Sequence, residues 1–166
     1  MCVGCWQCTK LGRCAQDGDP VNECLAKIGK FDGFVFGTPV HYAQANGAMS
    51  AFLSRLFMVE RCRGTNDFYL KPGAAVVSAR RAGCSATFDQ INKFFTMNEM
   101  PVVSSQYWNE VHGNTPDEVR QDVEGMQTMR TLARNMAFFL KCKAAGLAHG
   151  VPLPAREPIT YTNFIR

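Results

Sequence analysis

FDGFVFGTPVHYAQANG, residues 31–47, decides how the rest of the chain is read. Phe34, Val35 and Phe36 form a short unbroken apolar run, bounded by Gly33 on one side and Gly37-Thr38-Pro39 on the other. A run with no polar alternation reads as a strand buried on both faces, the habit of a parallel sheet. Residues 37–47 are of another kind. Gly and Pro shape a turn, Thr38 offers a hydroxyl, His41 and Tyr42 offer flat rings, and Asn46-Gly47 opens a new periodicity.

Outward from this stretch, apolar strands alternate with amphipathic helices. Met49, Phe52, Leu53, Leu56 and Phe57 recur at helical spacing over 46–59. GAAVVS (73–78) reads as a second buried strand, and Phe88, Ile91, Phe94 and Phe95 mark a helix over 86–97. PVVSS (101–105) reads as a third strand. Upstream, a short helix is expected over 21–28. Thr115-Pro116-Asp117-Glu118 supplies an N-cap, a proline at the first helical position and an acid three residues after the cap. Val119, Val123, Met126, Leu132, Met136 and Leu140 carry that last helix to about residue 145. The tail, 146–166, contains VPLPAREPITYTNFIR and is expected to be an extended strap. The pattern predicts one domain over 1–166, an α/β fold of three layers around a parallel sheet with about three readable strands.

Composition excludes several function classes. A chain of 166 residues that is 46% apolar and 19% charged builds one ordinary core rather than a disordered or repetitive assembly. Net charge is +4, but the densest basic runs, Arg61-Cys62-Arg63 and Arg80-Arg81, are too short for a nucleic-acid footprint. No apolar stretch approaches a membrane span, and the N-terminus lacks a signal-peptide layout, so a cytoplasmic protein is expected.

In open α/β sheets, ligands bind beyond the carboxyl ends of the strands. Two loops stand there, 37–47 and SARRAGC (78–84), the second bringing a Ser, two Arg and a Gly that permits close backbone approach. Side by side they suit a flat, polar-edged, anionic ligand; ordinary turns with solvated arginines are the plainer reading. Cys84 opens a helix, where a thiolate is favoured, yet a structural thiol is the preferred reading.

Several of these segments, in order, resemble the flavodoxin-like NAD(P)H-dependent FMN reductases. They are GTPVHYAQANGAMSAFLSR (37–55), KPGAAVVSARRAGCSATFDQINKFF (71–95), YWNEVHG (107–113), TNFIR (162–166) and CVGCWQCTKLGRC (2–14). The resemblance implies a flavodoxin-like fold and FMN held by Thr38, Pro39, Val40, His41, Tyr42 and Asn46 on one loop. It implies that Ser78, Arg80, Arg81 and Gly83 hold it on the other. It further implies hydride uptake from NAD(P)H and a homodimer or homotetramer. Flavin carries the chemistry itself, so no side chain is nominated as an essential catalyst. Tyr107 and Trp108 are expected either to wall the ligand site or to pack. A non-enzymatic electron carrier, or an inactive fragment, is the alternative to an enzyme.

Eight cysteines do not indicate disulfides in a chain of this class. Cys24, Cys62 and Cys142 are scattered and read as small hydrophobes. Cys2, Cys5, Cys8 and Cys14 instead form C-x2-C-x2-C-x5-C, with Gly4 and Gly12 to curl the loop and Trp6 to shield it. Such a set suits a [4Fe–4S] centre, and resembles the compact motif of the iron–sulfur flavoproteins in the same family. Four thiolates also suit zinc, and a loop of free thiols is the third reading.

The resemblance implies one more expectation. Family members begin with a strand, a Ser/Arg/Asn-rich phosphate loop, a helix and a second strand before such cysteines. The segment ahead of Cys2 here is a single Met, which reads as a late start or a fragment, with a truly shortened variant as the third reading. In that third case the protein is expected to bind FMN weakly and to offer the edge of the strand at Phe34–Phe36 to another chain.

Overall fold

Phe34 and Phe36 project from the same face of an extended segment and seed the core. Phe34 meets Phe68 edge-on at 4.8 Å between ring centroids, and Phe36 stacks on Phe95 at 5.7 Å. Around this cluster the computed structural model, which describes residues 1–164, arranges eleven elements. They run α1 (Cys8–Leu11), α2 (Val21–Leu25), a 3-10 turn (Ile28–Lys30), β1 (Phe34–His41), β2 (Gln44–Ala45), α3 (Gly47–Arg63), β3 (Gly73–Ala79), α4 (Cys84–Met97), β4 (Glu110–His112), α5 (Pro116–Gln121) and α6 (Val123–Ala148).

The sheet order is β2-β1-β3-β4. β1 and β3 pair in parallel from Phe34↔Gly73 to Pro39↔Ser78, and β3 and β4 pair in parallel at Val77↔Glu110 through Ala79↔His112. The expected α/β architecture with helices on both sides of a mostly parallel sheet is therefore present. On one side, Leu53, Leu56 and Phe57 of α3 and Ile91 and Phe95 of α4 pack with Phe68 and Ala75. On the other, Leu132 and Met136 of α6 pack with Ala74 and Val103. Gly73 starts β3 directly under Phe95: a Cβ there would lie 2.7 Å from the ring.

Four local expectations are corrected. β1 does not stop at Phe36 but runs to His41, and residues taken as loop fold back as an antiparallel hairpin, Val40↔Ala45 and His41↔Gln44. β1 is also not buried on both faces: Val35 is 55% exposed, although Gly33 just before it lies against Leu140 and Met136 of α6. The strand expected at 101–105 is reduced to one bridge, Val102 with Gly73, and the paired strand comes later, at Glu110–His112. Between them Ser105 turns its hydroxyl onto the Tyr107 carbonyl (2.6 Å) and Asn109 Oδ1 (2.8 Å), local bonds that draw the chain out of the ladder. The last helix breaks at Asp122, which leaves helical geometry (ψ 83°) to cap α6 through the Gly125 N–H at 2.9 Å.

α6 continues to Ala148, three residues beyond its expected end, and residues 151–164 form the extended strap. It is fastened by Tyr69, whose hydroxyl donates to the Pro154 carbonyl at 2.9 Å, and by Arg156 on Glu99 and Asn66. The last two residues of the expected strap and of TNFIR lie outside the described residues. Among the described residues no helix is long and apolar enough to cross a membrane.

Candidate functional site

The carboxyl ends of β1 and β3 lie side by side, Pro39 level with Ser78. Beyond Pro39 the hairpin closes through Tyr42 and Ala43, both in left-handed backbone (φ 52° and 59°), the pairing that a two-residue turn of primed type requires. Neither residue is glycine, so the turn carries strain that its surroundings must hold. Gly83 supplies the hold. Its backbone lies so close to the hairpin that a Cβ would come within 2.8 Å of both Ala43 Cα and Val40 Cγ1, and its own φ of 95° favours glycine. The two expected loops therefore meet as one surface.

Sequence reasoning assigned ten residues to this surface, and the structure sorts them. Pro39, His41, Tyr42, Arg80 and Arg81 are exposed on it. Neither arginine has an ion-pair or hydrogen-bond partner among the described residues, which leaves two adjacent guanidinium groups for an anionic group. Ser78, Gly83, Val40 and Asn46 are half-buried, and the Val40 side chain packs inward on Val77, Ala79 and Cys84. Thr38 is buried, and its hydroxyl is engaged: it accepts the Asn46 N–H at 3.1 Å and donates to the Pro39 carbonyl. Asn46 likewise caps α3 by accepting the Ala48 N–H at 2.8 Å, while its amide donates to His41 Nδ1 at 3.0 Å. The Ala45 N–H goes to Gln90 Oε1 at 2.9 Å. Thr38 and Asn46 thus build the junction between hairpin and helix, and the N–H groups of residues 45 and 46 are committed within the protein.

The cysteine loop lies further along α3. Cys2, Cys5, Cys8 and Cys14, with Trp6 and Arg55, line one small cavity of about 20 Å³. Cys8 and Cys14 are buried and Cys5 is exposed. Among the described residues no three His, Cys, Asp or Glu side chains stand close enough together to hold a metal ion. Cys8 is hydrogen-bonded to Cys62 of α3; burial first, and then this neighbour, push the Cys8 thiol up to about 11. Cys14 is gripped hardest. Its N–H donates to Asn22 Oδ1 (2.9 Å), its carbonyl accepts from the Asn22 amide (3.0 Å), and its Sγ accepts from Arg55 Nε (3.2 Å). The four thiols thus share one cavity without converging closely enough to hold a metal ion.

Other residues near the strand tops are already engaged within the protein. Cys84 is buried, and burial, then the charge and hydrogen bond of Glu110, raise its thiol to about 11, so it is a structural thiol. His112 Nε2 lies 3.9 Å from that sulfur. Burial alone would raise Asp122, but the N–H groups of Gly125 and His112 outweigh it and hold the carboxyl below its usual range. Tyr107 and Trp108 are half-exposed partners at 5.1 Å rather than core. Sequence reasoning missed Arg55 and Cys62. The signal for Arg55 was present: it lies on the apolar stripe, three residues from Phe52 and four from Val59, where a solvated arginine has no place.

An apolar recess of about 760 Å³ opens between the C-terminal halves of α3 and α4, lined by Phe57, Met58, Phe94 and Met97. It lies at the opposite end of the helices from the strand tops.

The family model described as NADPH-dependent FMN reductase matches residues 4–115. An iron–sulfur flavoprotein of Methanocaldococcus jannaschii is 33% identical over 150 residues, covering 84% of this chain and 74% of that one. An iron–sulfur flavoprotein of Clostridioides difficile is 34% identical over 82 residues, 49% of this chain and 34% of the other. Among solved structures, RosB with bound 8-demethyl-8-formylriboflavin-5'-phosphate superposes with a TM-score of 0.61 over 95% of this chain and 71% of its own, at 16% identity, a likeness of fold. The strand-top surface, the parallel sheet beneath it and these matches lead to one conclusion: the chain belongs to the NADPH-dependent FMN reductase family, as an FMN-dependent oxidoreductase with a flavodoxin-like fold.

Proposed function

We propose that the tops of β1 and β3 hold FMN, that NAD(P)H reduces it there, and that Cys2, Cys5, Cys8 and Cys14 hold a [4Fe–4S] group that relays electrons to an acceptor. When bound, FMN supplies two-electron hydride chemistry and an iron–sulfur group supplies one-electron transfer. The rest is the work of the chain. The hairpin 39–44 and the 78–83 loop offer a flat floor, rigid because Gly83 lets the two backbones touch. Pro39 and His41 line it with ring surface, and Arg80 and Arg81 place positive charge along its edge, suited to the electron-rich side of a reduced ring or to a nucleotide phosphate. Thr38 and Asn46 serve by positioning the hairpin.

The carrying observation is the register that sets Pro39 beside Ser78 with the hairpin seated on Gly83, so that two donor-rich segments share one edge. The iron–sulfur part is supported by the shared cavity of the four thiols and by the similarity to two iron–sulfur flavoproteins.

Anaerobic titration tests the reading. The protein is expected to take up FMN with a change in the visible flavin spectrum, and the bound flavin to bleach on addition of NADPH or NADH. Arg80→Ala with Arg81→Ala should weaken FMN or raise the KM for the nicotinamide about tenfold, one lost charge-assisted contact. Absence of FMN uptake at saturating FMN, or bound flavin that stays oxidised with both nucleotides, would refute it.

A further inference from the structure

Residues three and four apart on a helix share a face. Ser54, Phe57, Met58 and Arg61 therefore form one stripe on α3, and Lys93, Phe94 and Met97 form one on α4. Both stripes line the recess of about 760 Å³, a volume in the usual range of small-molecule sites. Flat rings make up much of its wall. Phe57 and Phe94 stack at 5.5 Å between centroids, and Trp6, 61% exposed, reaches the recess from the cysteine loop. Met58 and Met97 add unbranched, adaptable thioethers. Most polar groups here are already used. The Ser54 hydroxyl donates to the Ala51 carbonyl at 3.1 Å, the Asn98 amide donates to the Phe94 carbonyl at 2.7 Å, and Cys62 is bonded to Cys8. Two cations are left. The Lys93 ammonium has no ion pair or hydrogen bond among the described residues. Arg61 reaches only a neutral group, the Tyr161 hydroxyl, at 3.4 Å. Among the described residues no acidic side chain lines the recess.

We propose that this recess is a second binding site, for a small aromatic acid: a flat apolar body lies against Trp6, Phe94 and Met97, and its carboxylate is held by Arg61 and Lys93. A neutral apolar ligand would cover the rings and leave both cations without a counter-charge. An anion with no apolar body would leave the rings and thioethers in water. A second copy of this chain fits less well. A two-fold contact centred on the recess would set Arg61 and Lys93 of one copy against the same residues of the other. With no acid in the lining, like charges so placed cost affinity. The site is also separate from the strand tops. Arg61 lies fifteen positions beyond Asn46, about 22 Å along α3, so this proposal and the FMN reading stand or fall independently.

Isothermal titration calorimetry of the full chain with 2-naphthoate tests this, run with and without saturating FMN. The control is 2-naphthylmethanol, which has the same rings and no charge. The expected result is one naphthoate site per chain, unaffected by FMN, with the alcohol bound about tenfold more weakly for want of one charge-assisted contact. Arg61→Gln with Lys93→Gln should bring naphthoate down to the affinity of the alcohol and leave the alcohol unchanged. Met97→Asp, at a position 66% exposed, sets a carboxylate in the recess and should weaken naphthoate by about tenfold or more while the fold, followed by circular dichroism, is kept. No binding at millimolar naphthoate, equal binding of acid and alcohol, or an affinity untouched by Met97→Asp overturns the proposal. Displacement of naphthoate by FMN overturns it too, since the acid would then occupy the strand tops. A dimer in sedimentation velocity that Met97→Asp dissociates and naphthoate leaves intact overturns it in favour of a second copy.

Discussion

At its N-terminal end α3 is joined to a hairpin held by backbone pairing and close packing, whereas half-way along it meets a loop held mainly by two polar side chains. The strand-top surface rests on the ladder from Phe34↔Gly73 to Pro39↔Ser78 and on the approach of Gly83 to Ala43. The cysteine loop has one turn of helix, Cys8–Leu11, and no strand partner among the described residues; Arg55 and Asn22 do the holding. The difference teaches where each site is vulnerable. The first yields to changes that add bulk to its backbone contacts and tolerates changes in its exposed side chains. The second should collapse when a single polar group is removed.

The largest expected effect breaks the loop. Arg55→Ala leaves Asp19, the Gln16 carbonyl and Cys14 without their shared donor and should cost about 3 kcal/mol, the low end for breaking a buried pair because Asp19 is partly solvated. In urea denaturation the midpoint should fall accordingly, and a loss under about 1 kcal/mol would mean that the loop is held by something else. Next comes Gly83→Ala, about 2 kcal/mol from a methyl group pressed on the hairpin backbone at an unfavourable φ, with weaker FMN binding. FMN affinity at the wild-type value would show that the contact between the two loops does not shape the site. Thr38→Val is smaller: losing the acceptor of the Asn46 N–H should cost about 1 kcal/mol. Its FMN affinity should stay near wild type, since that hydroxyl is already engaged; a tenfold loss would make Thr38 a direct ligand.

Smallest in free energy are the exposed groups. Arg80→Ala with Arg81→Ala should change stability by no more than about 0.5 kcal/mol while altering nucleotide binding. The thiols sharpen the same contrast without mutation. In metal-free protein near pH 8, iodoacetamide should modify exposed Cys5 and Cys142 well before Cys8 and Cys84. Both of those thiols are raised from 9.0 to about 11. Since the folded state holds their protons more tightly, the stability they contribute is fully present below pH 9.0. It is lost as pH rises through 9.0 to 11, so labelling of both should accelerate over that window.

Much of the fold was legible because its strands and helices are local patterns. An unbroken Phe-Val-Phe, GAAVVS, the helical spacing of Leu53, Leu56 and Phe57, and the Thr115 cap each state their element within a few residues. The hairpin was not legible, because Tyr42 and Ala43 are poor left-handed residues by themselves and adopt that turn only with Gly83 beneath them. The displacement of the third strand from 101–105 to 110–112 comes from Ser105 finding Asn109, a choice between competing hydrogen bonds that composition does not reveal. Of the site, residue types were legible and roles were not. The Thr38 hydroxyl, expected at the ligand, also braces the hairpin by accepting the Asn46 N–H; Arg55 looked like part of a helix and clamps the cysteine loop.

By itself the sequence determined the class of the protein: alternating apolar strands and amphipathic helices, four cysteines at compact spacing, and a donor-rich loop after each of two strands. Those are properties of neighbours in the chain, where periodicity and turn chemistry act. Only the tertiary structure decided which donors remain for a ligand and which are consumed. A hydrogen-bond donor serves whichever acceptor the fold brings to it, and the partners here are eight residues apart for Thr38 and forty-one for Arg55.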